Sequence, residues 1–190
     1  MTSTDSDPLD GPGRAHARAR TWMLRESVVI AAPPEDVFAA LSDMRRMPQW
    51  SPECVGVWML RERKGTLPSF IGLNRNGARR WFTYCKVITA DAPREFAFRV
   101  SVAGLPIAVW GFSLRPAGGT GTGAPTTRVT QHWHDLRRGR RGKIADLLGR
   151  VAAGTSPTAR VHTNRSGMAL TLRRLKAAVE AAAEPAAEEE

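Results

Sequence analysis

Residues 70–115 read FIGLNRNGARRWFTYCKVITADAPREFAFRVSVAGLPIAVWGFSLR, and this stretch decides the fold. Runs rich in β-branched and aromatic residues alternate with turn chemistry, which predicts strands over Phe70–Arg75, Arg79–Thr89, Glu95–Val102 and Ala108–Arg115. The breaks NRNGA, DAPR and AGLP hold the residues that punctuate chains. Asn76-Gly77 is the strongest hairpin signal, because both residues tolerate positive φ. No helix-length segment separates these strands, so they are expected to pair as an antiparallel meander.

Side chains alternate across a strand, which assigns faces. Arg80 and Lys86 share one parity, so Trp81, Thr83, Cys85 and Val87 are expected on the other, inward side, with Arg79 sharing the parity of Trp81. Phe96, Phe98 and Val100 oppose Glu95 and Arg99, while Trp110, Phe112 and Leu114 oppose Arg115. One face of the sheet is thus lined by bulky aromatics.

Working outward, Val55–Arg61 adds an earlier strand and Thr126–Leu136 a later one, in which Val129, Gln131 and Trp133 oppose Arg128 and His132. Trp22–Ile30 is the first strand. A helix follows it: Pro34 suits a first turn, Glu35 and Asp36 suit the positive end of the dipole, and Val37, Phe38 and Leu41 form an apolar face. RRMPQWSPE, with two prolines, reads as a short helical turn or loop, and Asp43 and Trp50 are expected to organise it. Near the C-terminus, Met168, Leu172, Leu175 and Val179 fall at helical spacing. Asn164 lies one turn earlier on the same stripe, and Gly167 beside it suggests room left for something. Residues 1–21 have hardly any large apolar side chains and are expected to be a disordered arm, with 22–182 one domain and 183–190 a disordered acidic tail.

Of 190 residues, 42% are hydrophobic, enough for a sizeable core without staples. Two cysteines, Cys54 and Cys85, make neither a disulfide framework nor a metal cluster and read as reduced buried thiols. No apolar run is long enough to cross a bilayer, and the N-terminus lacks a secretory stretch, so the expected location is cytoplasmic. The formal net charge of +10 bears on partners rather than fold.

The order of one strand, a helix, six strands and a long helix is that of the α+β helix-grip fold, a curved antiparallel sheet of about seven strands around a C-terminal helix. VVIAAPPEDVFAALSDMRRMPQWSPEC (28–54) resembles the opening of the polyketide cyclase/dehydrase-like branch of the SRPBCC superfamily, which includes START-like and birch-pollen-allergen-like proteins. The matching positions are Ala32, Pro33, Val37, Phe38, Leu41, Asp43, Trp50 and Pro52. FIGLNRNGARRWFTYCKV, PREFAFRV, VWGFSLRP, TRVTQHW and NRSGMALTLRRLKAAVE resemble later blocks in the same order. Leu67 stands where a glycine is expected, and a basic insert, Arg137–Pro157, separates the last strand from the last helix as a candidate cap for the pocket mouth. The resemblance implies an internal pocket for a small, hydrophobic, polyketide-like or lipid molecule, more firmly than it implies catalysis.

The expected ligand-binding residues are Trp81, Thr83, Phe96, Phe98, Trp110, Phe112, Gln131, Trp133, Asn164, Met168 and Leu172. Aromatics there supply burial, and Gln131 and Asn164 orient the ligand; the plainer alternative is a solid aromatic core. Whether the chain is a carrier, a sensor or a cyclase/dehydratase-type enzyme is left open. For the enzyme, His134 and Arg79 are the candidates to handle protons or an enolate. His132, His134 and Asp135 form the only compact titratable group, and the histidines are assigned to opposite sides of their strand, unable to share a metal. No cofactor and no metal are expected. The run RRGRRGK (Arg137–Lys143), with Arg150 and Arg160 beyond it, lacks interleaved aromatics and reads as a solvated face, so no specific nucleic-acid partner is expected. A basic module for RNA, a ribosome or an anionic membrane is the third reading.

Overall fold

A computed structural model of the chain describes residues 22–61, 64–118, 125–154 and 157–183. Among them, seven strands form one antiparallel sheet in the order β1-β7-β6-β5-β4-β3-β2. They are β1 (Met23–Ile30), β2 (Cys54–Met59), β3 (Ser69–Asn76), β4 (Arg79–Asp91), β5 (Glu95–Val102), β6 (Leu105–Pro116) and β7 (Thr127–Asp135). The helices are α1 (Pro34–Ser42), α2 (Met47–Trp50), α3 (Gly139–Ala153) and α4 (Pro157–Ala183). This is the helix-grip, START-like fold. Each expected strand exists, with ends shifted by up to three residues. Among the described residues no helix is long and apolar enough to cross a membrane. The expected arm, 1–21, and all of the expected tail but Ala183 lie outside the described residues.

Local chemistry shapes the stretch between α1 and β2. The Asp43 side chain accepts from the Arg45 backbone N–H at 3.2 Å, capping a 3-10 turn at Met44–Arg46 that runs into α2. Pro48 sits in the first turn of α2, Pro52 follows just past its end, and Trp50 is buried. Helix α4 begins at Pro157, earlier than the apolar stripe suggests, and buries Met168, Leu172, Leu175 and Val179.

The core divides in two. The larger cluster lies under α1 and joins Ile30, Val37, Leu41, Phe70, Phe96, Phe98, Phe112, Leu175 and Val179. A smaller one joins Leu24, Ala108, Trp133 and Met168. Side chains from both border the cavity described below.

The expectation that the whole basic run Arg137–Lys143 is solvated fails at Arg137, which is 8% exposed. Its backbone N–H and Nε each donate to Asp135 Oδ1 at 2.9 Å, Nη2 donates to Oδ2 at 3.0 Å, and Nη1 meets Asp146 of α3 at 3.0 Å. The chain turns sharply at Gly139, where φ is +60°, and folds α3 back over this ion pair. Gly142 permits the approach: a Cβ there would come 2.6 Å from the Arg137 carbonyl carbon. Arg138 remains exposed, with its guanidinium 4.2 Å from the Trp22 ring.

Candidate functional site

Between the concave face of the sheet, α4 and α3 lies a cavity of about 850 Å³. It exists because the sheet curves around a single helix whose apolar stripe covers only part of the inward face. Trp81, Thr83, Phe98, Trp110, Phe112, Gln131 and Trp133 line it from the sheet, and Asn164 and Met168 from α4. Ala145 of α3 and Arg137 close one end, so the insert does roof the cavity. The β3–β4 hairpin contributes Arg75, Asn76 and Gly77, all exposed, which marks this end as the mouth.

Phe96 and Leu172 are buried but border packing rather than the cavity. Phe96 meets Phe38 of α1 edge-on at 6.3 Å and Phe98 at 6.4 Å, so it is held in the larger core cluster. Thr171 borders the cavity beside Leu172. Arg79 is exposed outside the cavity, its side chain against Gly154, where a Cβ would come 2.6 Å from Arg79 Nε. His134 lies on the outer face of β7, away from Gln131 and Trp133. The assignment of His132 and His134 to opposite sides is overturned, because residues two apart on a strand share a face. His132 pairs in register with Gly111, whose missing Cβ makes room for the imidazole ring: a Cβ would sit 2.3 Å from Nε2. Among the described residues no group of three or more potential metal ligands occurs.

The polar groups fall into two kinds. Most are satisfied within the protein. Asn74 Nδ2 donates to the Gly72 carbonyl and to Thr83 Oγ1, both at 3.2 Å, and Thr83 Oγ1 donates to the Gly72 carbonyl at 3.4 Å. Arg160 of α4 donates to both oxygens of Glu53, at 2.9 and 2.5 Å, and its guanidinium lies 5.8 Å from the Trp81 ring. The pKa of the Cys85 thiol is pushed up to about 12, chiefly by burial, and burial raises that of Cys54 as well, so both thiols stay protonated. Gln131, 6% exposed, differs: among the described residues its Oε1 is the fully buried side-chain oxygen or nitrogen with no hydrogen-bond partner. Buried amide oxygens are rarely left so.

Several lining residues escaped the sequence reading. Asn74 shares the parity of Phe70 and Gly72, a signal that was present; Arg160, expected on a solvated face, is instead ion-paired with Glu53 and borders the cavity four residues before Asn164 on the α4 stripe. That Glu53 meets Arg160 across more than a hundred positions was not legible. Gly167 lines the cavity too, with Pro52 3.5 Å from where a Cβ would stand.

The sequence matches the family described as "Polyketide cyclase / dehydrase and lipid transport" over residues 21–180. The chain belongs to that family. Comparison with curated proteins finds no match. Among solved structures, this polyketide cyclase/dehydrase family member is similar to a Polyketide_cyc-like protein from Corynebacterium glutamicum, at 26% identity and a TM-score of 0.54, covering 88% of this chain and 97% of that one. A START superfamily protein from Mycobacterium smegmatis matches at 17% identity and a TM-score of 0.58, covering 85% and 99%. The di-domain ARO/CYC StfQ from the steffimycin biosynthetic pathway matches at 12% identity and a TM-score of 0.59; the match covers 85% of the family member here but only 51% of that chain. Another di-domain ARO/CYC, BexL, is likewise spanned over 50% of its length.

Proposed function

We propose that this chain is a carrier or sensor that holds one small, uncharged, largely apolar molecule bearing a hydrogen-bonding group. The observation that carries this reading is the unpartnered Gln131 Oε1 beside a cavity walled mainly by aromatic and aliphatic side chains. A volume of about 850 Å³ falls within the range of small-molecule sites. Two of the three arginines at the wall are already neutralised, Arg160 by Glu53 and Arg137 by Asp135 and Asp146, and the third, Arg75, is exposed at the mouth, which favours an uncharged guest inside. The family description, with its lipid transport, points the same way.

A cyclase or dehydratase needs an acid or base within hydrogen-bond reach of the reacting atoms. His134 and Arg79 lie outside the cavity wall, and the two thiols that border it are held protonated; of the other titratable groups on the wall, Glu53 is tied to Arg160 and His162 sits exposed on α4. That arrangement favours the carrier over the enzyme. Native mass spectrometry of the purified protein tests the proposal: a non-covalent small-molecule adduct is expected, reduced in Gln131→Leu. If no adduct is found, and titration with naphthol shows no binding, the proposal falls.

A further inference from the structure

The outer face of the sheet carries an apolar patch that neither the cavity nor the core uses. Trp58 and Phe82 are 72% and 69% exposed, and Tyr84 is exposed beside them. Strand register places them together: Ile71 on β3 sits between Trp58 on β2 and Tyr84 on β4, and Leu73 pairs with Phe82. Large aromatics exposed as a cluster mark an interaction surface, whereas single ones do not.

The charge around the patch has one sign. Arg75 pairs in register with Arg80 at one end, and Lys86 with Arg99 at the other. Like charges directly opposite one another destabilise a sheet. Among the described residues no salt bridge joins any of these four cations to a carboxylate, and the outer-face carboxylates Asp91 and Glu95 lie beyond the β4 bulge. An anionic surface would relieve both repulsions.

We propose that the outer face of β2–β4 docks on an anionic lipid bilayer, with Trp58, Phe82 and Tyr84 in the headgroup layer and the four cations against lipid phosphates. Aliphatic Ile71 and Leu73 interrupt the aromatics, so successive bases of a nucleic acid would find no continuous stacking track. A bilayer interface accepts aromatic and aliphatic side chains together, and favours Trp and Tyr. A second copy of the chain fits less well, because a two-fold contact would set the four cations against their own images. Arg75 also borders the cavity mouth, so docking here brings that mouth towards the membrane.

Flotation with vesicles of phosphatidylcholine alone, and of equal parts phosphatidylcholine and phosphatidylglycerol, tests the proposal. Binding is expected only to the mixed vesicles and is expected to fall as salt rises. Arg80→Gln with Lys86→Gln should weaken it about 25-fold, roughly fivefold per cation. Trp58→Ser with Phe82→Ser should weaken it by about tenfold or more; these side chains are exposed, and should that pair fail to fold the charge variant carries the test. Gln131→Leu should bind vesicles as wild type does, so an empty cavity leaves this result standing. Equal binding to both vesicles, or none, overturns the proposal. So does a dimer abolished by Trp58→Ser, or binding to poly(U) in place of vesicles.

Discussion

Gln131→Leu separates stability from binding, because the two should move in opposite directions. A buried amide oxygen without a partner costs about 1–3 kcal/mol, and Gln131 Oε1 is such an atom. Leucine has similar bulk and no oxygen to desolvate. Ligand-free protein, stripped by unfolding in urea and refolding, should therefore gain about 1–2 kcal/mol, the lower part of that range because the amide nitrogen is lost as well. For a chain of this size each kcal/mol raises Tm by about 2–4 °C, which calorimetry resolves. Binding should respond the other way. Naphthol and naphthalene differ by one hydroxyl, and fluorescence titration compares them in the same cavity. Wild type should prefer naphthol by about fivefold, the worth of one hydrogen bond near 1 kcal/mol. In the leucine variant the hydroxyl loses this acceptor, and the preference should shrink or invert. A lower Tm in the variant, or an unchanged preference for naphthol, would refute the assignment of Gln131 as the orienting group.

Asp135→Ala should cost about 3 kcal/mol in urea unfolding, the low end for breaking a buried ion pair, because Asp146 still meets Arg137 at 3.0 Å. Asp135→Leu with Arg137→Met should recover most of that loss, and additive single effects would argue against coupling. Burial lowers the His132 pKa below 6.5, so the unfolded chain takes up a proton that the folded one resists. Its share of stability is present above pH 6.5 and lost as pH falls through the lowered folded value; unfolding midpoints of His132→Gln should be flatter across that window. With the Cys85 pKa near 12, roughly one thiol in ten thousand is ionised at about pH 8, so a disulfide reagent should label it only as the protein unfolds. Gly167→Ala should stabilise α4 by up to about 1 kcal/mol, since a Cβ there meets only Pro52 at ordinary contact distance.

Much of the fold was legible because antiparallel sheets and amphipathic helices are local codes. Asn76-Gly77 places the β3–β4 hairpin, and period-two alternation puts Trp81, Phe98, Trp110, Gln131 and Trp133 on one side. The same alternation, misapplied, sent His132 and His134 to opposite faces. Parity was weaker where the strand leaves the sheet's centre: Arg79 has the parity of Trp81 but sits at the hairpin end, exposed. Phe96 and Phe98 are indistinguishable by pattern, yet only Phe98 borders the cavity, because α1 covers the sheet at Phe96.

The chain's own order of residues determined that strands would form, which face of each would be apolar and that the last helix carries an apolar stripe, since those properties depend on neighbours within a few positions. Only the tertiary structure decided that the covered volume is left open, that Arg137 is buried under α3 rather than solvated, and that Arg160 is held by Glu53. Those outcomes depend on the curvature of seven strands and on groups far apart in sequence. The worth of a charge or an amide is set by what finally surrounds it, and for Gln131 nothing within the protein meets its oxygen.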